Sequence, residues 1–279
     1  MSTTTRIFLA TVALALATTA GVAHAGRGGS ASRIRNAVQS GSVDAIVAEV
    51  ERTERLTCPG CIETVTDLLD DDRYQVREVA AWWFAKRPVL AQQMRDRSIT
   101  DVAGTDSRLA RNGADFLGTL RHPSAIPALS AAATRAALDA EARRAAVRAL
   151  GTIGHPNADP ALTAAMRDAD AGVRLQAVTA WLDIRSQRGA APAVALIGDG
   201  DAAVRAKAAG VVGELREASA RAALEAALAG DADPSVRRNA AWALGRIGDR
   251  ASQPALEAAM NDRSPLVGGV ARAALAALH

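Results

Sequence analysis

The sequence predicts an all-α fold, an α-solenoid of about seven stacked helix–turn–helix units, and three observations point to it. First, the anchors Val76, Leu109, Ala142, Val173, Val204, Val236 and Val267 recur 33, 33, 31, 31, 32 and 31 residues apart. Second, the residue four places after each anchor is never larger than alanine: Ala80, Gly113, Ala146, Ala177, Ala208, Ala240 and Ala271. Third, apolar side chains return eight places after the anchor, at Phe84, Leu117, Leu150, Trp181, Val212, Leu244 and Leu275. In every unit but the first they return again eleven places after it, at Leu120, Ile153, Ile184, Leu215, Ile247 and Leu278. Offsets of 4, 8 and 11 lie on one face of an α-helix. A unit this small cannot bury that face alone, so neighbours must stack, and the small register marks a close approach of two backbones.

Taken from the amino terminus, residues 1–25 read as a secretory signal peptide. Met1–Arg6 is a short basic lead, Ile7–Ala20 an apolar run, and Ala23-His24-Ala25 places small residues at a cleavage site. The run is short for a membrane span, and no later stretch reaches about 18 apolar residues. The expected product is therefore exported, periplasmic or extracellular, with no membrane span after cleavage. Residues 26–41 open on a Gly/Ser/Arg stretch and read as a flexible mature tail. Residues 42–75 read as a capping pair: a helix from Ser42 to Glu51 begins at a serine cap, and a second runs from Ile62 to Leu69. A solenoid needs such an end to shield its first apolar face.

Residues 76–279 read as the array itself. An acid stands three places before five of the anchors, at Asp106, Asp139, Asp170, Asp201 and Asp233, where a short carboxylate caps a helix. Pro234 suits the first helical position. Glycine follows in Leu150-Gly-Thr-Ile-Gly154 and Leu244-Gly-Arg-Ile-Gly248, a left-handed exit from the helix. A shorter second helix is read from Ile126-Pro-Ala-Leu, Asp159-Pro-Ala-Leu, Ala191-Pro-Ala-Val, Arg221-Ala-Ala-Leu and Gln253-Pro-Ala-Leu.

The phrase Val236-Arg-Arg-Asn-Ala-Ala-Trp-Ala-Leu-Gly-Arg-Ile-Gly248, followed by Pro254-Ala-Leu, resembles the short HEAT-like repeat of the phycobilisome-lyase type. The resemblance covers roughly residues 60 to 279. It implies that Arg77, Arg143, Arg174, Arg205 and Arg237, each directly after an anchor, form a structural ladder with Asp139, Asp170, Asp201 and Asp233 across neighbouring repeats. It also implies that the second helices line the concave side. It does not name an activity, because repeats of this type occur in scaffolds and in chromophore-attaching lyase subunits alike.

Charge excludes little but redirects the reading. Without Arg6 the 33 basic residues become 32 against 30 acids, a net charge of +2. The pI of 9.4 reflects arginine usage, since Lys86 and Lys207 are the only lysines, so no nucleic-acid partner is expected. Aromatic content is 3%, and alanine must fill much of the core by close backbone approach.

Cys58-Pro-Gly-Cys61 holds the only two cysteines. A cap at Cys58 with Pro59 as the first helical residue would set the first sulfur against the positive end of the helix. For an exported chain the pair fits a structural disulfide, with dithiol redox chemistry as the alternative and a metal requiring further ligands. Trp82 and Trp242 fall six places after their anchors, a register otherwise read as partly exposed, and Trp83 falls in the next. The three rings read either as covers over the ends of the stack or as a partner-binding surface. His122-Pro123 and His155-Pro156 read as turn residues. No catalytic constellation, phosphate loop or cofactor motif is present. The expectation is an exported, monomeric, non-enzymatic scaffold for a protein partner. The alternative is a lyase-like subunit or a dithiol protein acting through Cys58 and Cys61.

Overall fold

The computed structural model describes residues 30–55, 58, 60–184 and 189–278. The predicted signal peptide and residues 26–29 lie outside them. Every regular element among the described residues is helical.

Three helices open the stack: α1 (Ala31–Ser40), α2 (Val43–Glu51) and α3 (Cys61–Leu68). Here the predicted tail is corrected. Ser30 caps α1 by accepting from the Arg33 N–H, and Ile34 and Ala37 are buried against the next helices, so residues 31–40 belong to the cap. The signal was present: Ile34 and Ala37 sit three apart, and Gly41 ends the helix at φ 75°.

The array follows in pairs: α4 (Tyr74–Ala85) with α5 (Pro88–Ala103), α6 (Ser107–Leu120) with α7 (Ile126–Ala133), and α8 (Ala140–Ile153) with α9 (Asp159–Ala165). In the fourth unit α10 (Ala171–Ala180) is followed by a 3₁₀ segment, Ala191–Gly198. Then come α11 (Ala202–Glu214) with α12 (Arg221–Gly230), α13 (Pro234–Ile247) with α14 (Gln253–Ala259), and α15 (Pro265–Ala276) as the first helix of the seventh unit. The predicted aspartate caps form: Asp106, Asp139 and Asp170 accept from the N–H three residues on at 2.8–3.0 Å, and Asp201 and Asp233 from the N–H two residues on at 2.9 and 2.6 Å. Gly154 and Gly248 terminate α8 and α13 in the left-handed conformation. Before four of the second helices stands a short 3₁₀ turn that no periodicity announced, capped in turn by His122, His155, Glu217 and Asp249. The two histidines are therefore turn residues, each Nδ1 accepting a backbone N–H.

The close-approach register is fully buried throughout, from Ala80 to Ala271. A second small register also interlocks the first helices. Nine places after the anchor stand Gly118, Gly151, Gly213 and Gly245, and a Cβ added there would meet Ala149, Ala180, Ala243 and Ala274 of the next unit at 3.1, 2.7, 2.7 and 2.7 Å. The fourth unit carries Leu182 at this register. Spacing that admits only a glycine cannot admit a leucine, and the first helix there leaves α geometry for a 3₁₀ turn, Trp181–Asp183. Leu182 is turned outward, 37% exposed, while Trp181 remains core as predicted and its indole donates to the Gly189 carbonyl at 2.9 Å.

Candidate interaction surface

The arginine ladder is real, but its carboxylates are not the ones expected. Each arginine clasps an aspartate in the turn before the next unit, two residues ahead of the cap: Arg143 with Asp168, Arg174 with Asp199, Arg205 with Asp231 and Arg237 with Asp262. The cap aspartates Asp139, Asp170, Asp201 and Asp233 hold helix N–H groups instead, and the ion pairs of Arg143, Arg174, Arg205 and Arg237 go to the other aspartates. The same clasp aspartates accept the N–H of residues 170, 201, 233 and 264, and Nη1 of Arg174, Arg205 and Arg237 donates to two carbonyls of the preceding turn. One guanidinium thus ties the entry turn of its own unit to that of the next. The hydrogen bonds from Arg174, Arg205 and Arg237 hold Asp199, Asp231 and Asp262 below the usual carboxylate range. At Asp168 burial pushes upward, yet the bonds from Arg143 and the Asp170 N–H prevail and lower it.

The ladder fails between the first three units, and the substitute is chemically different. Two residues ahead of the second and third caps stand Gly104 and Ala137, and Ala110 replaces the second arginine. With no carboxylate in the turn, Arg77 reaches Asp115 inside α6, donating from Nε at 3.0 Å and Nη2 at 2.7 Å. Arg148 of α8 binds the other oxygen of Asp115 and lies 4.5 Å over the Tyr74 ring. Asp115, in a register read as partly exposed, is buried because it balances two guanidiniums. Tyr74, Glu78, Thr119, Arg121, Arg148 and Thr152 surround a cavity of about 280 Å³ beside it. Burial raises the Tyr74 hydroxyl above its ordinary range, Glu78 adds to the rise and Arg148 opposes it.

The tryptophans separate. Trp83 is core: 1% exposed, its indole donates to the Thr53 hydroxyl at 2.8 Å and Arg87 stacks 3.4 Å above it, so it leaves the predicted surface. Trp82 is half-buried with Lys86 5.3 Å from its ring, and Trp242 is 37% exposed with Arg246 at 5.8 Å. Both pairs use the same registers, six and ten places after the anchor, in the first and sixth units. Trp242 overlooks a recess of about 620 Å³ lined by Leu182, Gly210, Glu214, Leu215 and Asn239. A side chain at Gly210 would meet nothing within 4 Å, and the outward-turned Leu182 also lines the recess. Both cavities open on the first-helix face. The second helices present a row of small side chains instead, exposed at Ala131, Ala164, Ala195, Ala226 and Ala258.

Cys58 and Cys61 are disulfide-bonded, with their Cα atoms 5.3 Å apart. The cap of α3 is Gly60 and the helix opens at Cys61, so the second sulfur, not the first, stands at the helix start. Cys61 is fully buried and Cys58 half-buried. Among the described residues no group of His, Cys, Asp and Glu could hold a metal ion, and no helix is long and apolar enough to cross a membrane.

A family model described as HEAT repeats matches residues 98–183, 134–197 and 190–278. No curated protein matches the chain in sequence. Among solved structures, YibA of Escherichia coli superposes with a TM-score of 0.58 at 14% identity, covering 100% of this chain and 98% of that one. Kap95p, in a complex with RanGDP, gives 0.55 at 15% identity over 88% of this chain and 40% of its own. The CpcE–CpcF phycocyanin lyase of Nostoc gives 0.42 at 22% identity, over 81% and 96%.

Proposed function

Since the chain belongs to the HEAT-repeat family, we propose that it is an exported, non-enzymatic scaffold that holds a protein partner against its first-helix face. The observation that carries this reading is Trp242, a large apolar side chain left 37% exposed over a recess, at a register that apart from Trp82 is filled by polar or small residues. Tryptophan that is partly exposed, rigid and flanked by a cation has the chemistry of an interface anchor. The stack on either side is fixed by its clasps, so the face is pre-organised and little ordering cost opposes binding. Export is supported by the pattern of residues 1–25 and by the cysteine pair, since disulfides persist in oxidising compartments.

A photo-crosslinking residue placed at position 242, and in parallel at Ala195 on the second-helix face, tests the reading in cells that export the chain. A discrete adduct from 242 and none from 195 supports it. An adduct only from 195, or retention of the chain in the cytoplasm, contradicts it.

A further inference from the structure

We propose that the cavity between Tyr74, Arg121 and Arg148 is a docking site for one carboxylate side chain of a protein partner. This rests on the scaffold reading above and specifies one chemistry of its partner. The site lies where the ladder departs from its own rule, and a repeat protein that abandons a repeated solution in adjacent units has used those positions for something else.

The donors are arranged for an anion. Asp115, which lines the cavity, accepts from both Arg148 of the lining and Arg77 outside it, so two positive charges meet one negative at this carboxylate. Arg121, exposed at the rim, makes no ion pair among the described residues. Glu78 is the other carboxylate present and accepts from the Tyr74 hydroxyl at 3.2 Å. Three guanidiniums against two carboxylates leave a single positive charge, which one carboxylate balances and a phosphate dianion would overfill. Thr119 and Thr152 donate their hydroxyls back to the Asp115 and Arg148 carbonyls, so their oxygens do not donate into the cavity. Only Nη2 of Arg148 is committed, to Asp115, which leaves Nε and Nη1 for a guest that accepts. Tyr74 lies under that guanidinium and fixes its plane. The volume, about 280 Å³, falls below the ~300–1,000 Å³ of ordinary small-molecule pockets and suits one side chain presented by a larger body.

Tyr74 is the only tyrosine in the chain, so ring-labelled tyrosine gives one NMR reporter inside the site. The probes are acetyl-Gly-Glu-Gly-amide, its Gln counterpart and free glutarate. The expected result is a saturable shift of the Tyr74 ring signal with the Glu peptide and none with the Gln peptide. Affinity should fall about fivefold in Arg121→Gln and decline as salt rises. Arg148→Gln should abolish the response, and if that variant is unfolded the exposed Arg121→Gln still decides. No shift, an equal shift with the Gln peptide, or an undiminished one in Arg121→Gln overturns the proposal. A response to glutarate but not to the Glu peptide also overturns it, making the cavity a small-molecule site. The titration contains no partner, so its failure is separate from failure of crosslinking at position 242.

Discussion

Arg174 closes on Asp199 of the following unit with two parallel bonds, Nε and Nη2 each 2.7 Å from a carboxylate oxygen. Asp199 also holds the Asp201 N–H, at the start of α11. Replacing Asp199 by Asn removes one charge from a clasp that is 6% exposed on the acidic side. Asp199→Asn should lower unfolding stability by about 1.5–3 kcal/mol, measured by urea titration. The same change at the cap, Asp201→Asn, should cost a few tenths of that, because Asn caps nearly as well as Asp.

Acid should weaken the stack through these clasps. Asp168, Asp199, Asp231 and Asp262 all titrate below their ordinary value in the folded chain, so each contributes stability that is complete above the unfolded carboxylate pKa of about 3.9 and lost as pH falls through the lower folded values. The urea midpoint should therefore be flat from about pH 7 to 5 and drop below about pH 4. Combining Asp199→Asn with Asp231→Asn should flatten the drop. An unchanged acid limb in that double variant would remove the clasps from the explanation.

The glycine register gives a paired test. A methyl at Gly245 would stand 2.7 Å from the Ala274 Cβ and 2.8 Å from its Cα, backbone that cannot yield without separating α13 from α15. Gly245→Ala should cost about 1–3 kcal/mol. Gly269→Ala, in α15 with nothing within 4 Å, should instead gain about 0.5–1 kcal/mol from helix propensity. Thermal melts of the two single variants check both signs.

That register shows how far the sequence could be read. The seven anchors, the small residues four places on and the aspartate caps follow from helical periodicity and local hydrogen bonding, and each stands where it was read. The glycines nine places on were visible as residues, but only the packed neighbours show that they interlock with alanines seven places after the next anchor. The clasp partners were missed for a related reason: Asp168 and Asp170 stand only two residues apart in the same turn, and only backbone direction shows which one caps and which one faces the preceding guanidinium, that of Arg143. Of the two readings of Trp83 the partner-binding one failed, because its burial depends on Thr53, which the end of α2 brings from outside the repeat, and on Arg87 of the α4–α5 turn, which Thr53 also holds. The departure at Gly104, Ala110 and Ala137 was legible by comparing units. Its outcome, Asp115 shared by two arginines, was not.

The cysteine pair should matter to the cap alone. Its loop is very short, so closure removes little chain entropy, and its effect is to hold residue 58 against the start of α3. Substituting Ala at both Cys58 and Cys61 should lower stability by about 1–3 kcal/mol and leave partner binding unchanged. Calorimetry with and without the partner reads both terms, and lost binding in a folded variant would restore a functional role to the pair.

Trp242 is where the scaffold reading is most exposed to refutation. Its ring lies with one edge near Gly213 and otherwise faces the open recess, so Trp242→Ala should leave the melting temperature within a few degrees while weakening the partner captured at that position by about tenfold or more. The decisive measurement is the dissociation constant of that complex for the native chain and for Trp242→Ala, taken beside their melting curves. A tenfold or greater loss at unchanged melting is expected. An unchanged constant would mean that the partner docks elsewhere and that the first-helix face is not the interaction surface.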